Sequence, residues 1–324
     1  MSSRLNVHFA RCDMAPLILY LTVISVLTQL LDGGFGVRRH FQFHVAKICW
    51  SLNDGTIRKE VSSYYREELL SCTDMKRMAL ILAALLLGAC VYGEPDRYRV
   101  RVVKDYPHDV DSYTQGLFFW NGGLYESTGQ WGKSTFRKVN LTDGKALKRI
   151  DFDRKYFLEG SAVLDGKLYL LTWTNKVAFI YDASALKYVK TCKYEREGWG
   201  LTTDGSRLIA SDGSQNLYFM DSSLRTLKVL KVTLNGRPVK YLNELEWVDG
   251  RIWANVYLTN MIFVINPDSG EVESVIDCDC LLPDKLRTRD TDVLNGIAYE
   301  PQSGKIYLTG KNWPRLYEVE LRED

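Results

Sequence analysis

Gln115-Gly116-Leu117-Phe118-Phe119-Trp120-Asn121-Gly122-Gly123-Leu124-Tyr125-Glu126-Ser127-Thr128-Gly129 reads as an apolar strand, an Asn-Gly turn and a second strand. Asn-Gly accepts the positive φ angles of a tight hairpin turn, so the assignment has a mechanism. The phrase returns as Glu159-Gly160 with turn Asp165-Gly166, as Gly198-Trp199 with Asp204-Gly205, as Asn243-Glu244 with Asp249-Gly250, and as Asn295-Gly296 with Ser303-Gly304. Five hairpins spaced roughly 40–50 residues apart predict an all-β fold, a five-bladed β-propeller with one sheet per repeat.

The strands of a hairpin are antiparallel, so the start of the first and the end of the second share one rim. The first-strand row is Gln115, Glu159, Gly198 with Trp199, Asn243 and Asn295; eight positions after each turn come Gly129, Trp173, Asp212, Tyr257 and Lys311. If the sheets share an axis, both rows converge on one mouth of a central channel. That mouth would carry a carboxylate, amides, a lysine and aromatics, which makes it the candidate site.

Upstream of the repeats the chain changes character. Residues 1–74 hold His8, His40, His44, Cys12, Cys49 and Cys72 and none of the repeat. Met75-Lys76-Arg77 is a basic n-region, Met78 to Ala89 an apolar h-region, and Leu87-Gly88-Ala89-Cys90 looks like a bacterial lipobox. A signal peptide normally starts its chain. Residues 1–74 are therefore expected to lie upstream of the true start or to form a disordered extension. Residues 75–89 are expected to be a lipoprotein signal peptide, Cys90 the lipidated residue, 90–97 a tether, and 98–324 the catalytic propeller. The alternative makes Ala15 to Leu31 the membrane anchor, near the lower limit of a spanning helix, and Met78 to Ala89 a short buried helix.

Leaving out residues 1–89 removes 10 Lys and Arg and 7 Asp and Glu, so the formal +2 becomes about −1. Neither that charge nor interleaved aromatics without a basic stripe points to nucleic acid. His108 is the one histidine left, so no zinc pattern exists. Cys278 and Cys280 are expected in a strand, pointing the same way, with poor geometry for a disulfide. Tyr98 to Tyr106 alternates like a strand, while the last repeat has three strands where the others have room for four. Pairing this N-terminal strand (about 98–106) with the C-terminal blade closes the ring and hides an edge.

Tyr113-Thr114-Gln115-Gly116-Leu117, Phe157-Leu158-Glu159-Gly160, Leu171-Thr172-Trp173, Gly198-Trp199-Gly200-Leu201, Leu242-Asn243-Glu244-Leu245-Glu246, Trp253-Ala254-Asn255-Val256, Leu294-Asn295-Gly296-Ile297-Ala298 and Thr309-Gly310-Lys311-Asn312-Trp313-Pro314 resemble the plant and bacterial type of glutaminyl-peptide cyclotransferase. The resemblance runs from about Val100 to Leu321. It implies a five-bladed propeller that cyclises N-terminal glutamine to pyroglutamate with release of ammonia and without catalytic zinc. It further implies a glutamate acid/base at Glu159, catalytic Asn243 and Lys311, and substrate contacts from Gln115, Phe157, Trp173, Trp199 and Tyr257. The family often has Phe-Gly-Glu-Gly where this chain has Leu158, and Trp where it has Tyr257. The expected partners are peptides or proteins with N-terminal Gln. The protein is expected as a monomer in the bacterial envelope, lipid-anchored and periplasmic or surface-facing, with no cofactor, a structural channel ion being left open.

The chemistry is consistent with those residue types. Cyclisation needs a neutral α-amine, a stabilised γ-carbonyl oxygen and a proton for the leaving ammonia, and one carboxylate can both take and return the proton. Aromatic neighbours would desolvate Glu159 and raise its pKa. Two other readings stay open: a metal-dependent lactonase-like propeller with Glu159, Asn243 and Asn295 as ligands, and a non-catalytic binding propeller. Asp212 is an unassigned candidate, Asn295 is read as structural, and Trp120, Trp131, Trp247 and Trp253 as packing, with Trp131 alternatively on the rim.

Overall fold

The computed structural model describes residues 94–323. The expectations for residues 1–74, 75–89 and Cys90 lie outside them, as does the first part of the tether. Among the described residues the only helical element is one 3-10 turn, Asp284–Leu286; everything else regular is strand.

After β1 (Asp96–Pro107) come three four-stranded sheets in simple order. The first is β2 (Thr114–Trp120), β3 (Gly123–Thr128), β4 (Thr135–Val139) and β5 (Ala146–Asp151). The second is β6 (Leu158–Leu164), β7 (Lys167–Thr172), β8 (Val177–Asp182) and β9 (Lys187–Lys193). The third is β10 (Leu201–Thr203), β11 (Leu208–Ser211), β12 (Asn216–Met220) and β13 (Thr226–Lys231). A small hairpin, β14 (Thr233–Leu234) with β15 (Arg237–Pro238), precedes β16 (Leu242–Val248), β17 (Arg251–Val256), β18 (Met261–Ile265) and β19 (Val272–Asp277). The chain ends with β20 (Leu294–Glu300), β21 (Lys305–Gly310) and β22 (Arg315–Glu323).

The first strands touch in a ring: β2 on β6, β6 on β10, β10 on β16, β16 on β20, and β20 on β2. Burial falls outward, from the fully buried start of β6 to the almost wholly exposed β5 and β9. Apolar clusters fill the spaces between neighbouring sheets. Leu168, Leu170 and Phe179 meet Phe118 and Phe136, for example, and Leu208, Ala210 and Met220 meet Ala162 and Leu171.

β1 does what the alternating stretch predicts, and more. It pairs antiparallel with β22, from Tyr98↔Glu323 to Pro107↔Arg315, and its start also pairs parallel with β19, from Asp96↔Ser274 to Arg99↔Asp277. The two sheets are thereby welded into one of eight strands, ordered β16-β17-β18-β19-β1-β22-β21-β20.

Turn chemistry follows the sequence in three hairpins. Asn121-Gly122, Asp165-Gly166 and Asp249-Gly250 have φ of +46 and +69, +50 and +70, and +46 and +81, the double left-handed pattern that suits strand twist. The third hairpin differs from its expected two-residue turn. The Asp204 carboxylate accepts from Ser206 N, Arg207 N and Arg207 Nε, and so holds a longer loop. The two cysteines also differ from expectation: β19 ends at Asp277, Cys278 is buried, and Cys280 is exposed in the following turn. Cys192, Cys278 and Cys280 are free thiols.

Candidate active site

Four members of the first-strand row sit in β-bulges. Between Thr114↔Thr128 and Gly116↔Ser127 one extra residue, Gln115, enters β2. The same one-residue slip falls at Glu159-Gly160 in β6, Asn243-Glu244 in β16 and Asn295-Gly296 in β20. A bulge bends the strand and re-aims a side chain that regular alternation would send elsewhere. The second row is tied to it by backbone bonds. Gly129, Trp173, Tyr257 and Lys311 donate N–H to the carbonyls of Tyr113, Phe157, Tyr241 and Val293, at 2.8, 3.0, 2.9 and 2.9 Å. Both rows therefore share one rim.

Two glycines let neighbouring first strands approach. A Cβ on Gly160 would lie 2.4 Å from Leu201 N, and one on Gly200 2.0 Å from the Asn243 carbonyl oxygen. Gly160 N donates to Trp199 O at 2.7 Å, so Glu159 and Trp199 are adjacent across the strands.

The rim collects an aromatic cup. Phe157 meets Trp173 edge-on at 5.6 Å and Tyr113 at 6.2 Å, while Trp199 meets Tyr257 at 5.7 Å and 87°. Tyr257, where the family often has Trp, thus still supplies an aromatic wall. Glu159 is 5% exposed; burial pushes its carboxyl well above the usual range, the Lys311 charge opposes this, and Glu197 adds to it. Lys311, 3% exposed, is no solvated surface lysine. Its Nζ lies 4.8 Å from the Tyr113 ring centre and 5.1 Å from that of Tyr257. Burial lowers its pKa, against the pull of Glu159 and Asp292. Among the described residues neither Glu159 nor Lys311 enters an ion pair.

Gln115 and Asn243 are buried on the same rim. Asn295 donates Nδ2 to Thr114 O at 2.9 Å and to Gln115 Oε1 at 3.2 Å, so its amide orients Gln115. The Trp199 indole N–H is buried with no hydrogen-bond partner, a spare donor in the cup. Asp212 is spent as a turn cap, accepting from Ser214 N, Ser214 Oγ and the Tyr218 hydroxyl.

Three contributors were not singled out from sequence. Tyr113 donates its hydroxyl to Asp292 Oδ2 at 2.8 Å, and Asp292 N donates to Lys311 O at 3.0 Å, which clamps the Tyr113 ring beside the lysine. Glu197 Oε2 accepts the Trp173 indole N–H at 2.9 Å. Glu197 was legible as a carboxylate beside Trp199; Asp292, in an irregular segment, had no such signal.

A cavity of about 290 Å³ opens at the opposite, turn end of the channel, between Trp120, Val163, Thr203, Trp247 and Tyr299. Both of its carboxyls are already engaged, Glu246 by Tyr299 N–H and the Thr202 hydroxyl and Asp204 by Ser206 and Arg207.

Known proteins resemble this chain in sequence and in fold. The sequence profile of the family described as glutamine cyclotransferase matches residues 77–321. A glutaminyl-peptide cyclotransferase of Arabidopsis thaliana is 42% identical over 231 residues, 69% of this chain and 72% of that protein. The crystal structure of Myxococcus xanthus glutaminyl cyclase superposes with a TM-score of 0.67 at 36% identity, covering 71% of this chain and 100% of that one. On its sequence and its propeller-like all-β fold, this chain belongs to the glutamine cyclotransferase family.

Proposed function

We propose that this chain converts the N-terminal glutamine of peptides and proteins to pyroglutamate, with Glu159 as the group that moves the proton. The observation that carries the assignment is a buried carboxyl on the rim that also carries Phe157, Trp173 and Trp199, opposed by the charge of a buried lysine. A peptide α-amine titrates near 7.7–8.0, and an ordinary glutamate near 4.3 is a poor match for it. Burial raises the Glu159 carboxyl well above its ordinary range and so narrows that gap.

Glu159 takes a proton from the amine as its nitrogen attacks the γ-carboxamide carbon. One C–N bond forms, closing a five-membered lactam. The bond to the amide nitrogen breaks, and the proton held by Glu159 goes to that nitrogen, which leaves as ammonia. No water is consumed. Negative charge grows on the γ-oxygen, where Lys311, Asn243 and the Gln115 amide are the donors at hand, each worth roughly 2.7–4 kcal/mol. The aromatic cup folds the side chain back toward its own amine, and the reaction is intramolecular.

Residues 96–323 form a five-bladed propeller, with β1 completing the last blade. The ring of first-strand contacts and the double pairing of β1 support this. Upstream, residues 75–89 act as a lipoprotein signal and Cys90 carries the lipid in a bacterial envelope. The family match starts at residue 77 and leaves the first 76 outside it. Mass spectrometry of the native protein should find no peptide from residues 1–74; finding one would overturn the upstream part of the reading.

The test of the activity is direct. The purified propeller, incubated with a Gln-initiated dipeptide, should release ammonia, and Glu159→Gln should lower kcat by roughly 10²–10⁴-fold while the fold persists. Near wild-type turnover by Glu159→Gln would make the carboxylate structural. Activity should also survive strong chelators, whereas loss on chelation with rescue by one metal would favour the lactonase-like alternative.

A further inference from the structure

The pocket takes the glutamine, and the rest of a substrate chain must leave across the rim. Among the described residues, all but four of the large exposed apolar side chains lie on β1 or on the outermost strands β5, β9 and β13. The four exceptions, Val110, Trp131, Tyr241 and Leu258, lie on the loops bordering the Glu159 mouth, 46%, 49%, 54% and 67% exposed. Exposed apolar residues scattered singly need no explanation. These four are not scattered.

Each is joined to the cup. The Trp131 ring meets Phe157 edge-on at 5.7 Å. Tyr241 O accepts from Tyr257 N, and Tyr241 N donates to the carbonyl of Gly213, whose backbone lies against the Trp199 ring. Leu258 follows Tyr257 directly. Val110 O accepts Asn312 Nδ2 at 2.7 Å, one residue beyond Lys311.

The backbone that presents three of them is strained. Tyr241 and Leu258 have φ of +65 and +66, and Trp131 stands between Gln130 at +85 and Gly132 at +76. Left-handed backbone is disfavoured for a residue with a Cβ, and such strain persists only where the surroundings hold it. They do hold it at Trp131. Gln130 O accepts from Lys133 N and Ser134 Oγ, and Ser134 Oγ accepts from Leu158 N, next to Glu159. The strain presents apolar side chains to solvent rather than to a core.

We propose that this rim binds the residues that follow the N-terminal glutamine and favours apolar side chains at the second and third positions of the substrate. The proposal rests on the cyclase reading of the pocket and extends it to substrate class. Successive side chains of an extended peptide point to opposite sides. Trp131, on the β3–β4 loop, and the Tyr241/Leu258 pair, on the β16–β19 sheet, stand on non-adjacent sheets of the ring.

The experiment compares kcat/KM for Gln-Leu-Phe-Gly and Gln-Ser-Ser-Gly in the wild type, Trp131→Ala, Leu258→Ser and Leu147→Ser, the last altering an exposed apolar residue on β5. The ratio within each variant cancels general damage. The wild type should favour the apolar peptide by roughly tenfold, as partial burial of two apolar side chains allows. Trp131→Ala and Leu258→Ser should each bring the ratio toward one, and Leu147→Ser should leave it. A wild-type ratio within about twofold, or a preference that neither rim variant reduces, overturns the rim proposal while the cyclase reading stands. Ammonia from neither peptide fells the cyclase reading, and the rim proposal with it.

Discussion

His108, Glu126 and Arg137 form a buried polar cluster behind the mouth. His108 Nε2 lies 3.1 Å from Glu126 Oε1 and its Nδ1 2.7 Å from Trp313 O; Arg137 donates to Glu126 Oε2 at 2.5 Å and to Asp109 at 2.6 Å. Burial alone would raise the Glu126 carboxyl, but Arg137 and then His108 outweigh it and hold it at about 2. That stabilisation is present above the ordinary carboxylate range and is lost only as pH falls toward 2. Glu126→Gln leaves buried Arg137 with the partly exposed Asp109 as its remaining charge partner and should cost up to about 3 kcal/mol, read as a fall in Tm. A second prediction concerns Glu197, whose charge helps to raise Glu159. Glu197→Gln keeps an acceptor for the Trp173 indole and removes the charge, so the acid limb of kcat/KM should move to lower pH. The substrate amine contributes equally in both profiles and drops out of the difference; unchanged limbs would remove Glu197 from the electrostatics of the site. The Glu159 mouth was legible because its residues recur at a fixed distance from a turn. The Glu126 cluster was not, since its members sit 18 and 11 residues apart on three different segments and no linear spacing marks them as partners.

The five hairpins were readable from Gly and Asx residues whose backbone preference is local. The bulges were not, because an extra residue in a strand shows only against its partner's register. They nevertheless decide which way Gln115, Glu159, Asn243 and Asn295 face. Gly200 tests how closely the elements must meet. A methyl there would clash with backbone, the Asn243 carbonyl, rather than with a side chain that can move. Gly200→Ala should therefore displace β16 at Asn243 and lower both Tm and kcat. Loss of stability with full activity would show that Asn243 need not hold its place. For β1 the alternation marked a strand and the short last repeat pointed to its antiparallel partner, but the parallel pairing with β19 depends on where the fourth sheet ends in space. Deleting residues 96–107 exposes the edges of β22 and β19 together. Aggregation or a marked fall in Tm is expected, and an unchanged Tm would place the closure elsewhere.

Across the described residues the first strands come together around buried carboxyls, Glu244 and Glu246, that enter no ion pair there. Glu244 reaches from β16 to accept N–H from Leu117 of β2 at 3.2 Å and from Ile297 of β20 at 2.9 Å. Glu246 accepts from Tyr299 N at 2.9 Å and, at 3.3 Å, from the Thr202 hydroxyl. These carboxyls link strands that share no ladder, so the centre of the ring is held by hydrogen bonds as well as by apolar packing. Their alternation in Leu242-Asn243-Glu244-Leu245-Glu246 was a visible signal: two glutamates two apart in a strand are placed on one face. Burial drives Glu244 well above the usual range, with the Glu246 charge adding to it, and raises Glu246 to about 8 against the hydrogen bonds it accepts. Between the ordinary carboxylate range and pH 8 the folded chain therefore holds a proton at Glu246 that the unfolded chain has released. The stability from that proton is complete at low pH and is lost as pH rises through 8, with a magnitude on the order of a few kcal/mol. Glu246→Gln keeps an acceptor for Tyr299 N–H and has no proton to lose. Its Tm should fall less than that of the wild type between pH 6 and pH 9, so the two curves converge or cross in the alkaline range. Parallel curves would mean that Glu246 is ionised throughout, and that the axis carries a charge which its hydrogen bonds fully accommodate.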